Sequence, residues 1–334
     1  PHCKKLLSKP IEEDYADIVV LGEGYEPISK IAAGEDLNHI GSIIFKKNHK
    51  IFQSPEKSGL AELDKLPFPD FSDFDLRQYS NSGTVFRGVT LPINASLGCT
   101  RNCTFCTYSF FMGRFKARSA RSVFEEMRYQ KYRHGTCRFS FMDGMINADV
   151  KFLEELCDLI IGNDEIFYWT AQFGFKENVT DELISKLSRA GCSFLSIGLE
   201  SGSEKVRKDM LKPCSNTKVD EFIKALHKQT IPFNLNFLIG YPTETESDFC
   251  ETLELIKKHH SRIASVTPYI THILTGTILS KIALENKEYS FDPKEASSWV
   301  FRENTPQLRD QRMQRITEMA IQYNLIPKTA SGMF

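Results

Sequence analysis

Apolar and polar positions along this chain fall into distinct textures. Between residues 91 and 271, short apolar runs at 91–97, 138–142, 166–171, 193–199, 233–239 and 264–270 alternate with longer stretches of helical period. The short runs predict buried strands; the longer ones predict amphipathic helices at Ser119–Tyr132, Val150–Ile161, Thr180–Ala190, Thr217–His227 and Glu246–His259. Punctuation agrees with period, since Thr180 caps one helix start and Gly191 stands just past its end. Ahead of this region, Asp17–Leu21 reads as a strand, Gly22–Gly24 as a turn and the residues to 33 as a short helix, with a hairpin at 42–53. Residues 62–76 are rich in Pro, Asp and Phe, have no period, and read as an extended linker. Behind the region, 283–304 is irregular and aromatic, with Phe291, Trp299 and Phe301 expected to pack. Thr305 then caps, and Pro306 opens, a helix over 307–323.

Strands alternating with helices indicate βαβ units and a parallel sheet. The 91–271 region, at roughly 30 residues per unit, makes about six units, whereas a closed eight-unit barrel needs ~250 residues. The expected fold class is α/β: a partial (β/α)6 TIM-like barrel with a short N-terminal α/β remnant and a C-terminal helical extension. An open doubly wound sheet fits the same pattern. The expected divisions are 1–60 for the N-terminal piece, 61–88 for the linker, 89–280 for the barrel and 281–334 for the extension. Gly22 and Gly24 invite a dinucleotide reading, but Pro27 stands where a third glycine belongs.

Composition narrows the classes. Apolar residues make up 41% and charged residues 25%, ordinary values for a globular protein with a sizeable core. A net charge of −1 provides no footprint for nucleic acid, and the basic run Arg114–Arg118 is too short to change that. No apolar run approaches the ~20 residues that span a bilayer, and no secretory signal is visible. The chain opens on Pro1, which points to a processed product or a fragment. Nine cysteines, an odd number scattered except for one cluster, fit a reducing cytoplasm better than a disulfide framework. Cys3, Cys137, Cys157, Cys192, Cys214 and Cys250 read as small buried apolar residues.

The cluster is Cys99-Thr-Arg-Asn-Cys103-Thr-Phe-Cys106, just after the first barrel strand. Loops at the carboxyl ends of parallel strands are where such barrels carry reactive groups. Three thiolates in eight residues lack the fourth ligand of a tetrahedral zinc site, and no further pair follows at finger spacing. They can occupy three corners of an iron–sulfur cube, leaving one iron open for chemistry. Zinc held with a fourth partner such as Cys137 is the alternative from the residues alone.

This CxxxCxxC after strand one resembles the signature of the radical S-adenosylmethionine (SAM) superfamily. The resemblance implies a 4Fe–4S cluster on Cys99, Cys103 and Cys106, with SAM on the open iron and reductive cleavage to methionine and a 5′-deoxyadenosyl radical. Further strand ends match the family's pattern. Asp143-Gly144 stands where the SAM amino group is received, with an acidic residue in place of the common Gly-Gly-Glu form. Gly198-Leu-Glu200-Ser201 resembles the GxES stretch, whose Glu and Ser face the polar parts of SAM. Gly240, in the run from Phe237 to Glu244, would let backbone approach adenine, and Phe105 would pack near it. Gln172 and Asn236 are candidates for ribose or carboxylate contacts. Tyr108, Tyr168, Asn234, Tyr269 and His272 are candidates to face the barrel interior.

The N-terminal stretch Asp17–Gly24 and the linker Leu66–Asp70 resemble the end of a cobalamin-binding domain found in one branch of the superfamily, which often transfers methyl groups. The first half of that domain, with its DxHxxG stretch, is absent, so cobalamin stands as an optional cofactor that this chain does not by itself establish. The methylthiotransferase branch carries additional cluster cysteines, and only Cys3 precedes Cys99 here. The expected activity is SAM cleavage driving radical chemistry, methyl transfer among the options. An electron donor of flavodoxin or ferredoxin type is the implied partner, and no membrane or nucleic-acid partner is expected. The competing readings are a non-catalytic zinc or structural iron–sulfur protein and a degenerate relative that binds without cleaving.

Overall fold

The computed structural model describes residues 8–54, 62–79, 89–108, 112, 115–176 and 178–327. Cys3 and Arg114 lie outside the described residues. A short helix α1 (Lys9–Glu12) leads into β1 (Ile18–Val20), α2 (Tyr25–Ala32), β2 (Ile43–Lys47) and β3 (Lys50–Gln53). The strand–turn–helix at 17–33 and the hairpin after it form where the pattern places them. Their sheet, in the order β1-β2-β3, is antiparallel at both pairings. A remnant of a Rossmann-like layer was expected, but a parallel layer needs crossovers that return each strand in the same direction. Here α2 and the turn after it bring β2 back reversed, and the piece is a small meander with Val19, Ile43, Ile44 and Phe45 buried.

The main unit begins at β4 (Leu91–Ile93), followed by the short antiparallel pair β5 (Ser96–Leu97) and β6 (Lys116–Ala117) that brackets the cysteine loop. Then come α3 (Ala120–His134), β7 (Arg138–Phe141), α4 (Val150–Gly162), β8 (Tyr168–Phe173), α5 (Asp181–Arg189) and β9 (Cys192–Glu200). After these follow α6 (Glu204–Asp209), α7 (Asn216–Lys228), β10 (Phe233–Ile239), α8 (Glu246–His259) and β11 (Ser265–Ile270). Helix starts carry their own signals: Ser119, Thr180, Ser215 and Thr245 each accept a backbone N–H from the first turn that follows.

The six-stranded sheet runs β11-β10-β9-β8-β7-β4, and every pairing is parallel. Spatial order therefore follows chain order without reversal. A doubly wound sheet reverses direction at a switch point, so this one is singly wound, and α3, α4, α5, α7 and α8 supply side chains to one core with the strands. β4 and β11 are the two edges, which makes the unit a partial barrel, as the count of units predicts. Phe139, Phe141, Trp169, Phe173, Ile197, Leu235 and Phe237 point outward into one continuous core with Phe124, Met127, Leu153, Leu156, Ile184 and Phe249 from the helices. The alternate positions Ser140, Thr170, Gln172, Ser196 and Asn236 are polar, face the concave side and are half-buried or buried.

The C-terminal part is more regular than its sequence. Residues 283–304 were expected to be irregular, yet α9 (Ile278–Glu285) runs into them and β12 (Tyr289–Ser290) pairs with β13 (Val300–Phe301). Two-residue strands are too short for a period of two to register. Trp299 is fully buried and donates from Nε1 to the Thr271 carbonyl at 3.0 Å, the packing role expected of it. The last helix α10 (Pro306–Gln322), capped by Thr305, lies against β10 and β11 and supplies Ile316 and Ala320 to the main core. No helix among the described residues is long and apolar enough to cross a membrane.

Candidate active site

The cysteine loop leaves β5 through Gly98, whose φ of +74° suits a residue without a side chain. Cys103 is buried; Cys99 and Cys106 are half-buried. The Arg101 backbone N–H donates to Cys99 Sγ at 3.5 Å, and the Tyr108 N–H donates to Cys106 Sγ at 3.4 Å. Amides aimed at sulfur suit thiolates better than thiols, because the acceptor is then charged. As a free thiol, Cys103 is pushed by burial up to about 11, against the opposing pull of Lys212 and Arg101. A bound metal removes that proton outright. Among the described residues, no three His, Cys, Asp or Glu converge on a point that a single metal ion would fill. A cluster whose thiolates grip separate irons does not require the three sulfurs to converge on one point.

The strand ends beyond the loop divide into those that face the concave side and those that do not. Glu200 ends β9 with φ +73° and pairs with Lys212 at 2.6 Å, each side chain 13% exposed. This pair lies over Gly198, where an added methyl would overlap Glu200 Oε1, and its charges act on Cys103. Ser201, expected beside it, is turned away. The left-handed residue before it redirects the chain, so its hydroxyl accepts from the Ser203 N–H at 3.1 Å and is fully buried. Asp143 is likewise committed elsewhere: its carboxylate accepts from the Ala95 N–H at 3.1 Å and the Ser96 hydroxyl at 2.5 Å. It braces the approach to the cysteine loop instead of facing a ligand. Gly144 sits flat under the Tyr108 ring, which a Cβ would strike.

Gly240, with φ +73°, was expected to let adenine approach. The space over it is filled by the Arg309 side chain from α10, so the missing Cβ makes room for that arginine. Phe105 packs against the cluster of Tyr241, Leu279 and Trp299. On the concave wall, Asn236 Nδ2 donates to Ser196 Oγ at 3.0 Å, and Asn234 Nδ2 donates to Asn236 Oδ1 at 2.7 Å. The Gln172 amide has no hydrogen-bond partner among the described residues. Its β8 position is registered against Ser196, which places it on the same wall. Of the other interior candidates, Tyr168 is stacked by Arg138 at 5.0 Å and Tyr269 is exposed.

Residues 93–256 match the Radical SAM superfamily. This is a radical SAM domain. The chain is 26% identical over 279 residues to an uncharacterized methyltransferase of Pyrococcus horikoshii, covering 81% of this chain and 58% of that protein. It is 30% identical over 212 residues to the bacteriochlorophyllide d C-12(1)-methyltransferase of Chlorobaculum tepidum, covering 60% of this chain and 44% of that one. Among solved structures it resembles the cobalamin-dependent radical enzyme OxsB with aqua-cobalamin and SAM bound. The TM-score is 0.71 at 15% identity, covering 94% of this chain and 52% of that one. The methyltransferase TsrM of Kitasatospora setae, with cobalamin and a 4Fe–4S cluster, aligns at TM-score 0.65 and 15% identity over 84% of this chain and 57% of that one. The chain thus spans about half the length of the proteins it matches.

Two residues of the radical SAM domain escaped the sequence reading. Lys212 follows a helix as one lysine among many, and only the fold returns it to Glu200 and Cys103. Arg101 lies inside the motif; its guanidinium donates to the Phe175 carbonyl and ties the first half of the loop to the end of β8. The spacing of arginine inside a cysteine motif was the only available signal.

Proposed function

We propose that Cys99, Cys103 and Cys106 hold a 4Fe–4S cluster and that the chain reductively cleaves SAM to drive radical chemistry, of methyl-transfer type, on a substrate in the concave face. The observation that carries this is three thiols at the mouth of a polar, singly wound half-barrel, with backbone amides on two sulfurs and the Glu200–Lys212 pair acting on the third. When bound, such a cluster supplies one electron to the sulfonium, giving methionine and a 5′-deoxyadenosyl radical.

The chain's own residues do the rest. Arg101 and Lys212 offset the negative charge of a thiolate-bound cluster, which eases its reduction. Lys212 offers a cation to a carboxylate, and Glu200 an acceptor to ammonium or hydroxyl groups, at one strand end. Phe105 presents an apolar side chain for an adenine, while Gln172 and Asn236 provide amides on the wall below. The polar concave side receives substrate, and the packed outer layer keeps water from the sheet's other face.

The methyl-transfer reading draws on the methyltransferases among the relatives. Residues 8–54 form an antiparallel meander, and no step here runs through cobalamin, which the neighbours OxsB and TsrM hold. A flavodoxin or ferredoxin type of donor fits the one-electron demand. A reducing cytoplasm fits the free thiols. The test is anaerobic reconstitution with iron and sulfide, followed by dithionite and SAM. The expected product is 5′-deoxyadenosine, lost when any of the three cysteines is serine. A full cluster without cleavage would support a degenerate binding protein, and one zinc without sulfide a closed metal site.

A further inference from the structure

We infer that Thr104 and Tyr241 are positioning residues that set the geometry between Cys103 and Cys106; for the cluster, the inference rests on the reading above. Thr104 stands between those cysteines, is buried, and is bonded through all three of its polar groups to three separate elements. Its N–H donates to the Met210 carbonyl just past α6 at 3.1 Å, and its carbonyl accepts from the Leu279 N–H in the first turn of α9 at 2.8 Å. Its hydroxyl lies 2.9 Å from the Tyr241 phenol oxygen, and that phenol reaches the Asp209 carbonyl at 3.1 Å. A phenol has one proton and a carbonyl can only accept, so the direction is settled: Tyr241 donates to Asp209, and Thr104 donates to Tyr241.

Tyr241 is itself held from the C-terminal side. Its carbonyl accepts from Asn304 Nδ2 at 2.9 Å and from the Glu244 N–H at 2.8 Å. Asn304 Oδ1 in turn accepts from Arg309 Nη1 at 3.1 Å. The ring of Phe105, next to Thr104, packs into the same buried group as Tyr241, Leu279 and Trp299. The second half of the cysteine loop is therefore pinned to the turn after β10, and through it to α10. The polar groups of Thr104 and the phenol of Tyr241 are bonded to protein, so the two residues act through where Cys103 and Cys106 stand.

The test uses the full chain with Thr104→Val, Tyr241→Phe, the double variant and Thr104→Ser. In metal-free protein, hydrogen exchange of the amides at 104–106 is expected to quicken on the order of fivefold to tenfold in either single variant, the worth of one net hydrogen bond. The double variant is expected to be no worse than the worse single, because both remove the same bond, and Thr104→Ser to exchange as wild type does. In reconstituted protein, the midpoint potential and the electron paramagnetic resonance spectrum of the reduced cluster should shift in Thr104→Val and return in Thr104→Ser. Unchanged exchange in both single variants, or a serine variant that behaves as the valine one, overturns the proposal. If exchange responds as expected but the wild-type chain takes up no iron and sulfide, the anchor stands and the cluster reading fails.

Discussion

At Gly198 the backbone makes room for two opposite charges. A methyl there meets the ends of Glu200 and Lys212, which are flexible tips and not backbone. Gly198→Ala is therefore expected to cost less than about 1 kcal/mol in stability while displacing the ion pair beside Cys103. SAM binding to the reconstituted chain should weaken about tenfold, the 1.4 kcal/mol of one displaced charge-assisted contact, as read by equilibrium titration beside a thermal melt. Glu244 makes a different point. Burial pushes its carboxyl up to about 7 from 4.5, against the pull of Arg312 at 3.0 Å, and its Oε1 has no hydrogen-bond partner among the described residues. The native state then keeps a proton that the unfolded chain releases. Stability from this group is full below the unfolded value and is lost as pH rises through the folded one. Urea titrations from about pH 5 to 7 should show unfolding free energy falling with pH, and Glu244→Gln should flatten that fall.

Among the elements, α10 depends most on one small position. Arg309 lies across Gly240, stacks on Trp299 at 3.8 Å and donates to the Ser297 and Trp299 carbonyls at 2.9 Å. Gly240→Ala asks for a side chain at positive φ and evicts the arginine from its seat. The expected loss is about 2–3 kcal/mol, measured as a shift in urea midpoint without a change in slope. Caps and periods made the helices legible, because an amphipathic helix needs only its neighbours in sequence to declare a buried face. The surroundings of Ser201 and Gly240 were not legible for the opposite reason. What fills the space over a strand end is set by residues far along the chain, Thr252 in one case and Arg309 in the other.

Over the whole molecule, the extension at the C-terminus behaves as the outer layer of the half-barrel. Removing residues 305–327 would bare the outward faces of β10 and β11 and leave Glu244 without Arg312. Such a chain is expected to lose its cooperative calorimetric transition and its protection of the cysteine loop, whereas the intact chain retains both.

The order of strands and helices, the six-unit count, the helix caps and the three cysteines could be read from the chain, since each rests on local period, local backbone preference or close spacing. Tertiary structure alone decided the rest. It showed that the sheet is singly wound and open, that the N-terminal strands run antiparallel, and that Lys212 returns to Glu200 while Asp143, Ser201 and Gly240 serve the scaffold. These depend on contacts between residues distant in sequence, where period carries no information and only the path of the folded chain determines what each side chain meets.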